Sequence, residues 1–417
     1  MVEVLYIAYS FPPLLEANAI LNGKITHALA ERGYHCHVVT IVPETGTSKI
    51  DPSLTVFSHE ENTVHRYASY KNWRHAGPAL PYHVLRKAIP TLGRLPDMHI
   101  WDYRRAFRLA TDIVNHQKID LVISTGCPFS ANILGLRLKK AYDLPWLVHY
   151  FDPWAENFYM RNNRMSHFVN RGLERTVLDR ADAVTFISED IMNVALDPYP
   201  QWRDKTYVFP LGFYPPSYPE VAAGRRDGKL RFRYIGNFYG MRTPEPLCKA
   251  VAKFKEDYSA IAEKCEFVCV GEVQHDVETI KRRYGIGAEV TFEQPVDYVE
   301  SLRLMKTADI LMTIDAIGEG EVCLPSKLVD YIGARRPIWG MTPLGGPAER
   351  LVREAGGIAV APDDIDGAAA GIKTMWERYG QDVYEPDVGF EKIYGHYSMQ
   401  HSIESLIDVL CQGLAIG

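Results

Sequence analysis

Short apolar runs alternate with longer helix-period stretches along the whole chain. Val4-Leu5-Tyr6-Ile7-Ala8, Cys36-His37-Val38-Val39-Thr40, Leu121-Val122-Ile123-Ser124-Thr125 and Ala183-Val184-Thr185-Phe186-Ile187-Ser188 are each nearly continuous in apolar residues. Strands buried on both faces of a parallel sheet have this appearance. Between them, the spacing predicts helices over 18–32, closed by Gly33, and over 131–140, capped by Ser130, with a further helix from Glu174 to Arg180. A strand–loop–helix–strand opening predicts a doubly wound α/β sheet, whose ligands collect at the carboxyl ends of the strands. Phe209 to Pro219 holds four prolines in eleven residues and no periodicity, so it reads as a linker. The alternation then restarts. Leu230 to Ile235, Glu266 to Glu272, Val290 to Val296 and Ala308 to Ile314 are predicted strands, and helices are predicted from Pro244, from Asp297 and from Ser326. The expected organisation is a domain over 1–208, a linker over 209–219, a second domain over 220–395 and a terminal amphipathic helix within 396–417.

Composition narrows the class without naming it. A chain of 417 residues, 47% hydrophobic and 24% charged, has material for two cores of ordinary size. A net charge of -6 gives no reason to expect nucleic acid as a partner. The seven cysteines form no CxxC pair, which fits a reducing compartment and predicts no cysteine metal site. No signal peptide and no membrane-spanning apolar run is read from the sequence, so the expected location is the cytoplasm.

The richest chemistry lies in Pro325-Ser326-Lys327-Leu328-Val329-Asp330-Tyr331-Ile332, followed by Arg336-Pro337-Ile338. A helix beginning near Ser326 presents unpaired amides, a hydroxyl and an ammonium in its first turn, which suits phosphate. Asp330, one turn later, suits the diol of a ribose. Upstream, Gly236-Asn237-Phe238-Tyr239-Gly240-Met241-Arg242 follows a predicted strand and ends on a cation. Leu144-Pro145-Trp146 leads through another strand to Phe151-Asp152-Pro153-Trp154. If that strand alternates, His149 and Asp152 lie on opposite faces and only one of them addresses a ligand. A core role for His149, and plain turn chemistry for Asp152-Pro153, are the competing readings. Asp363-Asp364 is best read as a helix N-cap rather than a metal-binding pair.

Together these stretches, with Ser10-Phe11-Pro12-Pro13 after the first strand, resemble the GT4 family of retaining glycosyltransferases, which have the GT-B fold. The Pro145–Trp154 stretch is most similar to members acting in surface-polysaccharide synthesis. The resemblance implies two Rossmann-like domains facing a cleft, acceptor on the first and nucleotide-diphosphate sugar on the second. It implies donor contacts from Gly236, Asn237, Arg242, Gly271, Gln294, Pro325, Ser326, Lys327, Leu328 and Asp330. Arg242 and Lys327 would neutralise the leaving diphosphate, and Glu319 or Glu321 would hold the transferred sugar. Asp152 would act at the anomeric centre or on the acceptor hydroxyl. Glu16, Asn18 and His149 would complete the acceptor side. The chain departs from the family in three places. Leu14 to Ala19 replaces a glycine pair, Asn237 stands where relatives carry arginine, and Asp330 stands in place of a glutamate. No cofactor and no metal are implied, since protein cations replace a metal at the diphosphate. In this family the final helix packs back on the first domain.

Residues 71–108 interleave eight basic residues with bulky apolar ones. Two readings stand: a surface resting on anionic lipid at the inner face of the plasma membrane, or a solvated helical face with core aromatics. The first suits a lipid-linked or other glycan acceptor. A sugar-nucleotide 2-epimerase of the same architecture, and an inactive nucleotide-sugar-binding relative, are the alternative functions.

Overall fold

The computed structural model describes residues 1–43, 49–69, 95–157, 164–221, 228–316, 322, 324–380 and 388–416. It divides into two compact units, Met1–Leu211 with Met399–Gly417, and Gly212–Ser398.

The first unit runs β1 (Val2–Ile7), α1 (Ala17–Ala30), β2 (Tyr34–Ile41), β3 (Thr63–Tyr67), α2 (Tyr103–His116), β4 (Leu121–Gly126), α3 (Ser130–Tyr142), β5 (Trp146–Tyr150), α4 (Arg164–Arg180), β6 (Ala183–Phe186), α5 (Glu189–Leu196) and β7 (Thr206–Val208). Its sheet has the order β3-β2-β1-β4-β5-β6-β7, and every pairing is parallel. The near-continuous apolar runs occupy its middle: Val4, Leu5, Val122, Leu147, Val148 and Val184 have no exposed surface. Trp146, also fully buried, packs against Gly135 of α3, where a Cβ would collide with its indole. The indole N–H donates to Ser124 Oγ, whose hydroxyl donates to Asn132 Oδ1, so the strand-to-helix contact is satisfied as well as tight.

The second unit runs β8 (Leu230–Ile235), α6 (Glu245–Asp257), β9 (Cys265–Val270), α7 (Val277–Arg283), β10 (Val290–Glu293), α8 (Tyr298–Lys306), β11 (Ile310–Ile314), α9 (Ser326–Ala334), β12 (Ile338–Met341), α10 (Pro347–Glu354), β13 (Ile358–Val360), α11 (Ile365–Tyr379) and α12 (Val388–His396). The sheet order is β10-β9-β8-β11-β12-β13, again all parallel. Phe232, Phe267 and Trp339 anchor its core from three strands, with Phe232 stacked on Phe267 at 4.8 Å. Asp364 caps α11 by accepting from the Gly367 amide, so the Asp363-Asp364 pair includes the expected N-cap. Helix α13 (Met399–Asp408) returns the chain to the first unit, where Glu404 pairs with Arg32 just beyond α1.

In both sheets the strand order reverses once, between β1 and β4 and between β8 and β11. Connections leave in opposite directions there, which opens a crevice at the carboxyl edge and makes it the natural ligand position.

Candidate functional site

In the second unit the reversal point gathers the loops after β8, β9 and β11 with the start of α9. Gly271 is the tightest point. Its φ is +145°, and a Cβ there would collide with the Gly236 carbonyl oxygen, so only glycine lets the two loops touch. Asn237, expected among the donor contacts in place of an arginine, joins two loops. Its Oδ1 accepts from the Glu272 amide at 2.9 Å and its carbonyl from Tyr234 at 3.2 Å, so a neutral side chain clamps one loop to the other.

The cations converge on Tyr234. Lys327 Nζ stands 4.1 Å over its ring, a cation–π seat. Arg242 lies within electrostatic range of the same phenol, and its guanidinium Nη2 is 3.6 Å from the fully buried Asp315 carboxylate. Asp315 follows β11 directly, at the carboxyl edge, and sequence reasoning passed over it. A carboxylate immediately after an apolar run is the signal that could have found it. Tyr331, from α9, donates to the Met312 carbonyl and accepts from the Ile235 amide, fixing the helix between the two central strands. Pro325 is the N-cap residue of α9, and no side chain caps the helix; Ser326 and Lys327 follow in its first turn. Leu328 is buried behind them. Amides with no side-chain cap, beside two cations, can hold phosphate oxygens.

Asp330, expected to bind a ribose diol, has 6% exposure, and both its carboxylate oxygens accept from Tyr298 at 3.2 Å. A ribose hydroxyl would have to share these oxygens with a phenol. Gln294 is exposed, just past edge strand β10. Glu319 and Glu321 lie outside the described residues.

In the first unit the reversal point joins the segments after β1, β4 and β5. Asn18 donates to the Cys127 carbonyl at 2.7 Å, tying the start of α1 to the loop after β4. Glu16, exposed, accepts from Ser10 Oγ at 2.5 Å. Asp152 is partly buried on the Cys127 side of the loop after β5; its charge and that of Asp97 add to burial in raising the Cys127 thiol far above its usual range. Asp97 also accepts from the Ser130 amide and hydroxyl at 2.8 and 2.6 Å, so a distant aspartate caps α3 where a serine cap was expected. A small cavity beside it is lined by Tyr9, Tyr67, His99, Tyr103 and Ser130.

His149, expected on the acceptor side, is buried. Its ring is 2% exposed, edge-on to Phe151 at 4.7 Å and against Phe209 at 5.1 Å, and Nδ1 meets Thr185 Oγ1 at 2.9 Å. Burial lowers its pKa to about 3, which keeps it neutral. Both faces of β5 are buried, His149 on one and Tyr150 on the other. Beneath the Asp152–Trp154 turn lies Glu174, fully buried, with the Trp154 and Ala155 amides facing its carboxyl and burial pushing its pKa up to about 8. Within 71–108, residues 71–94 lie outside the described residues; on α2, Arg104 and Arg108 are exposed while Arg105 donates to the Ala68 carbonyl. Among the described residues, no helix is long and apolar enough to cross a membrane.

Comparisons with known proteins bear on the fold. Residues 23–212 match the glycosyl transferase 4-like domain family. An uncharacterised glycosyltransferase of Methanocaldococcus jannaschii is 22% identical over 275 residues, 62% of this chain and 66% of its own length. Sucrose-phosphate synthase from Thermosynechococcus elongatus superposes with a TM-score of 0.70 at 15% identity, over 100% of both chains. A UDP-forming α,α-trehalose-phosphate synthase from Burkholderia xenovorans, in complex with glucose-6-phosphate, gives 0.67 at 13% identity, over 98% of this chain and 99% of its own. The fold is therefore GT-B, built of two Rossmann-like α/β domains. The family match and the fold together support a glycosyltransferase.

Proposed function

We propose that this protein is a retaining glycosyltransferase that moves a sugar from a nucleotide-diphosphate donor to an acceptor hydroxyl. One observation carries the reading: Arg242 and Lys327 meet around Tyr234 at the β8/β11 reversal, beside a helix start that no side chain caps. Two cations and a row of amides are what a departing diphosphate needs as negative charge accumulates on it. In the proposed step the anomeric C–O bond breaks, its electron pair leaves with the diphosphate, and a short-lived oxocarbenium ion forms. The acceptor hydroxyl then attacks from the same face and passes its proton to a diphosphate oxygen. No protein nucleophile is needed, and with Arg242 and Lys327 at the phosphates the reaction runs without a metal.

Asp152 is assigned to the acceptor side, and Glu319 or Glu321 to the transferred sugar. Asp330 is assigned to the ribose, held in place by Tyr298. The acceptor is proposed to be a glycan, lipid-linked or free, in cell-surface polysaccharide or glycolipid synthesis, with the exposed arginines of α2 part of a peripheral contact with anionic lipid in the cytoplasm. The neighbours named above, one UDP-forming, support a nucleotide-sugar donor and make UDP the first base to try.

The test is binding of a nucleoside-diphosphate panel, read as thermal shift, on wild type and on an Arg242→Ala/Lys327→Ala double variant. One nucleotide should stabilise the wild type and not the variant. A folded wild type that no nucleotide stabilises would refute the donor site. Once a donor is known, proton NMR of the glycoside product reads retention directly from the configuration of the new glycosidic bond.

A further inference from the structure

At the opposite end of the first sheet lies a cluster with no part in the reaction above. Glu3 of β1 pairs in register with His35 of β2, and His37 and His65 stand on the same face further along β2 and β3. Glu3 Oε2 is 2.9 Å from His35 Nδ1 and 3.1 Å from His37 Nε2, and the three donor atoms all lie within 4.8 Å of one another. These residues sit at the amino-terminal part of the strands, whereas the substrate loops leave from the carboxyl ends.

We propose that Glu3, His35 and His37 form a binding site for a divalent transition metal, zinc in the first instance. The donor set is two imidazoles and one carboxylate, with a fourth position left for water, a combination that suits zinc. Tetrahedral bonds of about 2.0–2.1 Å place donor atoms roughly 3.3 Å apart, so the two Glu3 contacts need open by only a few tenths of an ångström, and the two ring nitrogens, within 4.8 Å of each other, close on the ion.

The opposite ring nitrogens strengthen the case. Metal-bound histidines usually donate their second N–H to a fixed partner, which orients the ring. Both partners are already present. His35 Nε2 is 3.1 Å from Thr63 Oγ1, and His37 Nδ1 is 3.2 Å from His65 Nε2. In the metal-free protein, His35 Nδ1–H and His37 Nε2–H donate to the Glu3 carboxylate, Thr63 donates to His35 Nε2, and His65 donates to His37 Nδ1. Metal binding reverses these hydrogen bonds by a tautomer shift in each ring. The proton of His35 moves to Nε2 and points to Thr63, that of His37 moves to Nδ1 and points to His65, and that of His65 moves from Nε2 to Nδ1. Every ring nitrogen named is paired in both states except His65 Nδ1, which is outside the cluster. His37 is the most enclosed of the three ligands, with 5% side-chain exposure, while Glu3 and His35 stay open to solvent at 27% and 22%, which provides an entry path.

The consequence is structural. An ion here ties β1 to β2 directly and to β3 through His65, and should stabilise the first unit rather than alter the reaction. Full-length protein, stripped with chelator and checked by near-ultraviolet circular dichroism, is titrated with zinc by calorimetry and with cobalt(II) by visible absorption. The expected result is one zinc per chain at this site, a rise in Tm at saturating zinc, and visible d–d bands of four- or five-coordinate cobalt. His35→Gln and Glu3→Gln, both at partly exposed positions, should each weaken that binding at least tenfold and remove the Tm rise. His65→Gln should keep the stoichiometry and weaken affinity by about 10–100-fold, the scale of an orienting partner. No zinc binding by folded wild type, or binding that neither His35→Gln nor Glu3→Gln weakens, would overturn the proposal.

Discussion

Arg242 reaches the Asp315 carboxylate with its Nη2 at 3.6 Å, and Asp315 itself has no exposed side-chain surface. A buried carboxylate at the carboxyl end of the central strand thus sets where the guanidinium can point. The two residues are far apart in sequence and meet because β8 and β11 are neighbours at the reversal of the sheet.

Asp315→Asn keeps the shape and removes the charge that holds Arg242. On the proposed mechanism, a displaced guanidinium still attracts the diphosphate but stabilises it less well as it leaves. We expect kcat for sugar transfer to fall about 100-fold, the cost of a small misplacement, with KM for the donor changed less than threefold. Steady-state kinetics separates the two parameters, and an unchanged kcat would show that Arg242 does not depend on Asp315.

Arg242→Ala and Lys327→Ala each remove a charge facing the proposed phosphates. Each should lower kcat/KM by about 10²–10³-fold, the range for a preorganised donor at a developing anion. The double variant should lose less than the product of the two, because both cations act on one diphosphate.

Gly271→Ala places a methyl against the Gly236 carbonyl oxygen on backbone at φ +145°. We expect destabilisation of about 1–3 kcal/mol and loss of the nucleotide-dependent thermal shift, since the two loops can no longer touch. Thermal melts with and without nucleotide measure both effects.

Glu174 is held protonated by burial, with its pKa raised to about 8 from an ordinary value of 4.5. The folded state therefore holds this proton more tightly than the unfolded state. The stability linked to it is fully present below pH 4.5 and is lost as pH rises from there through about 8. Glu174→Gln keeps a neutral side chain of the same shape at every pH. The Tm difference, variant minus wild type, should grow in favour of the variant between about pH 5 and pH 8. A carboxyl whose pKa in the folded protein lies one above its unfolded value contributes about 1.4 kcal/mol, so scanning calorimetry at several pH values will resolve the change. A difference flat across that range would mean the carboxyl is not buried in solution.

Tyr298→Phe removes the hydroxyl that donates to both Asp330 oxygens. The carboxylate then lies buried without that donor, which should cost about 1–3 kcal/mol of stability. If Asp330 holds a ribose, bound nucleotide should recover part of the loss, read as a larger nucleotide-induced shift in Tm than in wild type.

Much of this protein is written locally. The runs around Val4, Val122 and Leu147 read as central parallel strands because they are short and apolar on both faces, and Leu230 to Ile235 reads as a strand bounded by polar residues. Pro325-Ser326 announces a helix start because proline and a small polar residue suit its opening, while Lys327 gains nothing there from the helix dipole. Two α/β units and the start of α9 were legible for that reason. Pairings across the sheet were not. Asp97 capping α3, Asp315 holding Arg242, Asn237 clamping a loop and Glu3 meeting two histidines all depend on which strands are neighbours and in what register. That both faces of β5 are buried, with His149 on one and Tyr150 on the other, was decided there too. Strand alternation defines two faces, but only the packed helices on either side decide which of them water can reach.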